Sequence, residues 1–417
     1  MTAELVRVFG RIGLLSFGGP AAQIALMHKE LVETRDWLSE EQFLRALSFC
    51  MLLPGPEAMQ LATYAGWKRQ GIIGGLIGGG LFVLPGAIII LALALAYGTY
   101  GNLPVVQALF LGVKATVVVI VIEALIKIAK RALIRPEHSL IAIGGFLALF
   151  CFALPFPLVI GVAAIIGAML TTSEYEAPPT KPANLSGSLR IILIGGLIWA
   201  APLALAGALN QSFLIEVGLF FSTLAVVTFG GAYAVLAYMT QEVVVSYGWL
   251  TTPQMMDALG LAETTPGPLI LVTQFVGMIA GMAKGGTGMA LLAGAMTLWV
   301  TFVPCFIWIF AGAPLIDWLD GRPRLRGALA GITAAVVGVI ANLTLWFALH
   351  VFFSSVAPVD WGPVQTIRPI LDTAQPLAVV LAGIAAALLL WRHWSLAIVL
   401  PLCATLSLAA SYATGTA

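Results

Sequence analysis

Charge is what this sequence lacks most. Only 9% of its 417 residues are Asp, Glu, Lys or Arg, where soluble domains carry roughly 25%. A chain so poor in charge cannot clothe a water-facing surface, and 60% hydrophobic residues with a mean hydropathy of +1.02 make it an integral membrane protein whose surroundings are lipid bilayer. The balance of 20 basic against 19 acidic residues leaves no basic domain, which excludes nucleic acid as a partner. Cysteine is scarce too. Cys50, Cys151, Cys305 and Cys403 stand singly in apolar stretches without CxxC or Cys/His spacing, so they read as packing residues. There is no HExxH, no GxSxG and no His/Asp/Glu cluster with metal spacing, so nothing supports an enzyme, a metal or a cofactor. The glycines at 74, 75, 78, 79 and 80 lack the GK[ST] ending of a nucleotide loop and sit in an apolar helix, where close packing explains them. The first 27 residues carry Glu4, Arg7 and Arg11 within the apolar pattern, unlike a cleaved leader, so the N-terminus is expected to be retained.

What the chain does have, it has twice. Residues 16 to 56 begin Ser16-Phe17-Gly18-Gly19-Pro20, pass Glu30 and Trp37-Leu38, and end at Pro54-Gly55-Pro56. Residues 228 to 268 begin Thr228-Phe229-Gly230-Gly231, pass Glu242 and Trp249-Leu250, and end at Pro266-Gly267-Pro268. The offset is 212 without a gap, and 16 of the 40 positions from Phe17 are identical. This is an internal repeat. It resumes at offset 219, where Pro85, Pro104 and Gly112 match Pro304, Pro323 and Gly331, which implies an insertion near Lys284 to Gly288.

Apolar runs predict helices over about 5–27, interrupted at Gly18-Gly19-Pro20, and 46–66, broken at Pro54-Gly55-Pro56. Further helices are expected over 72–98, 105–127, 139–154, 156–171 and 189–209, with a second copy of the set over about 214–350 and two last helices at 374–391 and 395–413. The organisation is a first repeat over 1–172, a polar Pro-rich linker over 173–188, a helix over 189–212, a second repeat over 213–350 and a C-terminal helix pair over 351–417. Residues 28–45 are the most charged segment and must be wet. Loop charges put Lys68, Arg69 and the Lys127–Arg135 cluster opposite loop 100–104, whereas the matching loop 313–326 carries Arg322, Arg324 and Arg326. The two copies therefore read as inverted. The expected architecture is an all-α polytopic membrane protein with two inverted-topology repeats, broken or re-entrant helices and about 13 membrane segments.

Inverted repeats with paired broken helices are how many secondary transporters build a site at the membrane midplane. Backbone amides freed at a break persist in hydrocarbon only where they line a cavity or are covered by protein. Half-helices starting at Gly18-Gly19 or after Pro54-Gly55-Pro56 aim N–H groups and partial positive charge at such a cavity, which suits an anion. Ser16 and Thr228 would add hydroxyl donors, and Gln60 and Gln274 amide donors, with helix-to-helix bonding the alternative for the glutamines. A kink that only packs helices is the alternative for any single break. Arg11 and Lys114 are intramembrane cations for which anion binding, pairing with a carboxylate and snorkelling are all open. Glu57 and Glu263, beside the two Pro-Gly-Pro breaks, are candidates for proton coupling, with pairing to Arg11, Arg45 or Lys114 the alternative. Glu123 reads as an ion pair with Lys127 four residues on, and His28 as a solvated loop residue.

On Phe17-Gly18-Gly19-Pro20, Trp37-Leu38 and Pro54-Gly55-Pro56, repeated as Phe229-Gly230-Gly231, Trp249-Leu250 and Pro266-Gly267-Pro268, the sequence resembles the chromate ion transporter family in its long two-domain bacterial form. Ala232 departs from it, standing where the first copy has Pro20. The resemblance implies a multi-pass carrier of the bacterial cytoplasmic (inner) membrane that exports chromate, confers chromate resistance and meets sulfate as a competitor. The substrate-binding residues would come from the two motifs. A sulfate or other oxyanion carrier and an anion channel are the alternatives, and a homodimer is compatible with the sequence.

Overall fold

A computed structural model describes residues 2–17, 19–170, 185–229, 232–315, 322–362 and 364–415. The expected positions Gly18, Gly230 and Gly231, and most of the 173–188 linker, lie outside them. The first repeat gives α1 (Thr2–Leu15), α2 (Gly19–His28), α3 (Glu40–Leu52), α4 (Glu57–Tyr100), α5 (Pro104–Ala132), α6 (Pro136–Phe150) and α7 (Phe156–Leu170). After α8 (Leu185–Ala208) come α9 (Ser212–Val227), α10 (Ala232–Gln241), α11 (Thr252–Thr264), α12 (Val272–Gly312) and α13 (Pro323–Phe352). A short hairpin, β1 (Val356–Trp361) with β2 (Val364–Pro369), then leads to α14 (Pro376–Ala386) and α15 (Leu396–Thr414). The hairpin runs antiparallel from Val356 opposite Pro369 to Trp361 opposite Val364 and is the one addition to the helical expectation among the described residues. Among the described residues six helices are long and apolar enough to cross a membrane: those ending at Tyr100, Ala132, Ala208, Gly312, Phe352 and Thr414. The chain is a multi-pass membrane protein.

The repeat is local structure as well as sequence. Ser39 caps α3 in a reciprocal box with Gln42, and Thr251 and Gln254 make the same exchange before α11. A π-helical turn follows α2 at Lys29–Glu33 and α10 at Glu242–Ser246. The Trp37 N–H donates to Leu31 O and the Trp249 N–H to Val243 O, both 212 positions apart. Even the left-handed residues match, Asp36 with Gly248 and Gly55 with Gly267.

Two helices of 44 and 41 residues are not straight rods. Gly71 (φ 61°) reverses α4, and Gly286 (φ 70°) reverses α12. The chain doubles back tightly, because a Cβ on Gly66 would meet the carbonyl of Gly74 and one on Gly78 the carbonyl of Ala62. In a straight helix residues 62 and 78 would stand about 24 Å apart. The same close return brings Gly281 to Ala290 and Gly277 to Thr297. The arm of α4 before Gly71, and α1, α2, α3, α10 and α11, are each 14 residues or fewer. At about 1.5 Å per residue none of them reaches across a ~30 Å hydrocarbon core alone.

The chain forms two compact units that each draw on both repeats. One comprises Met1–Leu95, Ser173–Val235 and Thr265–Leu325; the other Ala96–Thr172, Leu236–Thr264 and Arg326–Ala417. In the first unit α8 and α9 pack on α12, yet α8 leaves Leu189, Leu193, Leu197 and Leu205 exposed, the face of a lipid-facing helix. In the second, α5 is held by α11, α14 and α15. Gly112 of α5 lies so close to the backbone of Cys403 that no side chain fits, and Gly167 meets Gly331 in the same way. Glu123 and Lys127 form the expected ion pair on α5.

Candidate functional site

The four helix breaks meet in reciprocal pairs inside the first unit. The Gly267 N–H donates to the Ser16 carbonyl over 2.8 Å, and the Gly55 N–H donates to the Thr228 carbonyl over 3.1 Å. Ser16 and Thr228 are repeat mates, as are Gly55 and Gly267, so one bond maps onto the other when the repeats are exchanged. The first break of each repeat thus crosses the second break of the other. Pro54, Gly55, Pro56, Pro266, Gly267 and Pro268 are all buried. Four helical starts gather at these crossings: α2 at Gly19, α4 at Glu57, α10 at Ala232, and the 3-10 turn Leu269–Leu271 that opens α12. Each start leaves N–H groups without an intrahelical acceptor.

Backbone conformation explains why glycine stands at the crossings. Gly55 has φ +112° and Gly267 φ +89°, values that side chains resist. A Cβ on Gly55 would come within 2.9 Å of the Cys305 sulfur, and one on Gly86 would strike the Pro266 carbonyl. The hydroxyl of Ser16 donates to Ile12 O at 2.6 Å and that of Thr228 to Leu224 O, back into their own helices, so neither hydrogen points at an anion in this state. Gln60 donates to Pro54 O at 2.7 Å and Gln274 to Ala87 O at 3.1 Å. The Gln60 amide also bonds the Cys305 thiol, the Gln274 nitrogen keeps one further N–H, and both amide oxygens are buried without a partner. Phe17 is half exposed, Phe229 is partly buried, and Gly19 and Pro20 are partly buried at the start of α2.

The charged candidates divide. Arg11 has a 60% exposed side chain and lies 3.6 Å from Glu30, which is only 5% exposed and also holds Arg35, so Arg11 belongs to the charged 28–45 segment. His28 there bonds Glu40 at 2.6 Å and Glu33 at 3.1 Å. The hydrogen bond to Glu40 holds its imidazole pKa above the usual 6.5. Lys114 lies in the second unit, 8% exposed, with its ammonium 2.8 Å from Oδ1 of Asp257. Of the readings open for it, pairing with a carboxylate is the one seen. Glu57 is the first residue of α4, partly exposed and without an ion-pair partner among the described residues. Glu263 is buried near the end of α11.

Sequence reading passed over three side chains. Gln23 of α2 is buried and bridges one crossing, donating to Gly267 O at 2.7 Å and, more weakly, to Ser16 O at 3.4 Å. Its repeat mate is Val235, so a search for shared residues misses it. Cys305 lies against Gly55 at the other crossing. Asp257 escapes because its repeat mate is Arg45.

Paired helix breaks held by backbone bonds between two sequence repeats, with six membrane-length helices among the described residues, place the protein in the class of polytopic membrane proteins. The chromate transporter family model matches residues 3–168 and 215–408. A probable chromate transport protein of Synechococcus elongatus is 31% identical over 81% of this chain and 82% of its own. Chromate transport proteins of Cupriavidus metallidurans and Pseudomonas aeruginosa are 30% and 31% identical, over 83% and 82% of this chain and 82% and 80% of theirs. The chain belongs to the chromate transporter family. No solved structure matches it.

Proposed function

We propose that the protein is a secondary transporter that exports chromate across the bacterial cytoplasmic membrane by alternating access and so confers chromate resistance. The observation that carries this reading is the reciprocal crossing of the four breaks. It supports two inverted repeats whose short arms enter the membrane as re-entrant pairs, and it gathers helix starts from both. The motif residues Ser16 to Pro20, Pro54 to Pro56, Thr228 to Gly231 and Pro266 to Pro268, with Gln60 and Gln274, are the proposed anion-binding set. Chromate is a tetrahedral dianion with no ring or base edge to recognise, so converging N–H groups and positive helix ends do the selecting. Movement need only break and remake a few backbone bonds at the crossings, while the glycines tolerate both arrangements. A membrane potential negative inside drives an anion outward by about 2.3 kcal/mol per charge per 100 mV, enough to export without ATP.

Labelled chromate uptake into inside-out vesicles tests this. Saturable uptake, competed by excess sulfate and accelerated by an imposed potential positive inside the vesicle, is the expected result. Uptake no greater than in vesicles lacking the protein would remove chromate as the substrate. Unsaturable flux without counterflow would make the protein a channel.

A further inference from the structure

The second unit contains a charged site that the crossings do not use. Asp257 of α11 is 0% exposed. One carboxylate oxygen takes Lys114 of α5 at 2.8 Å, and the other accepts the Tyr97 hydroxyl at 2.6 Å. Tyr97 stands at the end of α4, one turn before the loop at 101–103, and Gln107 closes over that loop by donating to Gly101 O at 2.5 Å. The phenol therefore joins a fully buried carboxylate to the exposed end of α4. Among the described residues the titratable groups facing Asp257 are Lys114 and Tyr97, and the Gln107 amide also bonds its carboxylate. Of the helices packed on α5, α14 carries none, and α15 carries Cys403 and Tyr412.

Two features separate this pair from a packing device. A buried ion pair is a poor stabiliser, because desolvation of both charges offsets their attraction. The fold of the repeat also does not require it. At the corresponding positions of the other copy stand Arg45 and Thr333, and the Thr333 hydroxyl simply bonds Leu329 O in its own helix. What tightens α11 on α5 is Gly260, one turn from Asp257, where a Cβ would come within 2.7 Å of Val113. Close packing is thus supplied without the charges. In a membrane-embedded protein, an ionisable pair kept despite its cost marks a functional site.

We propose that Asp257 is the proton-binding site of the transport cycle, with Lys114 as its counter-charge and Tyr97 as its relay. This rests on the transport reading above. A proton arriving by way of the Tyr97 hydroxyl converts the Asp257 carboxylate to the acid, while Lys114 keeps its ammonium. The site then gains one positive charge, and the ion pair between α11 and α5 is broken. Nine residues further along the sequence lies the Pro266-Gly267-Pro268 break, so a shift of α11 bears on one crossing through the chain itself. An anion in transit and a proton on Asp257 favour one another, and the two travel in the same direction. A dianion with one proton still carries net negative charge, so the membrane potential still drives it outward.

The experiment uses the full chain in proteoliposomes and reads two fluxes. Chromate counterflow at equal pH reports transport alone; uptake with the outer medium acid relative to the lumen reports coupling. Wild type is expected to show both, with at least tenfold faster initial uptake under the gradient. Asp257→Asn, which imitates the protonated acid, is expected to keep counterflow and lose the gradient response. The Lys114→Gln/Asp257→Asn double variant, which buries no charge, gives the same reading if the single variant does not fold. A gradient response of wild-type size in either variant, or none in a wild type that shows counterflow, overturns the proposal and leaves the transport reading standing. Absence of counterflow in wild type would instead remove the transport reading.

Discussion

Replacing Gly55 by Ala is expected to lower chromate transport at least tenfold while the protein still reaches the membrane. Two costs combine there. At φ +112° a residue with a Cβ is strained, by about 1–3 kcal/mol, and the new methyl lies 2.9 Å from the Cys305 sulfur and 3.1 Å from the Gln60 amide nitrogen. The tip must shift, and the bond it makes to the Thr228 carbonyl shifts with it. Gly71→Ala is the control, since Gly71 also has positive φ (+61°) but opens onto empty space. It bears the strain without disturbing a crossing, and its transport is expected to stay within twofold of wild type at equal expression. Gly55→Ala combined with Cys305→Ala removes the nearer obstacle and is expected to recover part of the loss. Initial rates of chromate uptake in inside-out vesicles, normalised to protein in the membrane, check all three. Equal rates for Gly55→Ala and Gly71→Ala would mean that the crossing is not part of the moving site.

The second large effect concerns stability. Lys114→Gln leaves Asp257 with no cation in a site where the carboxylate is 0% exposed. Removing one partner of a buried pair costs about 3–5 kcal/mol, because the other charge stays buried and uncompensated. The variant is expected to unfold at a markedly lower temperature in detergent than wild type. Lys114→Gln/Asp257→Asn removes both charges, retains the close contact at Gly260, and is expected to recover most of the lost stability. A double variant as unstable as the single one would show that the pair, and not the packing around it, holds α11 on α5.

The repeat makes much of this legible in the sequence. Breaks at Pro54-Gly55-Pro56 and Pro266-Gly267-Pro268, the close-packed glycines after Gly71, and the Glu123–Lys127 pair all follow from local chemistry that a one-dimensional pattern records. The seven-residue insertion expected near Lys284 to Gly288 falls where Gly285 and Gly286 turn α12 back on itself. What stayed hidden depends on contacts distant in sequence. That the first break of one repeat bonds the second break of the other cannot be read from either motif, because the pairing is made by backbone groups that every residue possesses. Gln23 and Asp257 were missed for a different reason. Their repeat mates, Val235 and Arg45, differ in kind, so the comparison that revealed the motifs concealed them. The β1–β2 hairpin lies in a stretch too polar for a membrane helix and too short to announce a sheet.

Whether the anion occupies the crossings is tested most directly at Cys305, a natural thiol buried beside Gly55. In a Cys50→Ala/Cys151→Ala/Cys403→Ala background that still transports, the rate of Cys305 alkylation by a small maleimide would be measured with and without saturating sulfate, a tetrahedral dianion that does not oxidise thiols. Slowing of at least fivefold by sulfate, and none by chloride at the same ionic strength, is the predicted result. An alkylation rate indifferent to sulfate, in protein whose chromate uptake sulfate blocks, would place the anion elsewhere and contradict the site drawn at the four breaks.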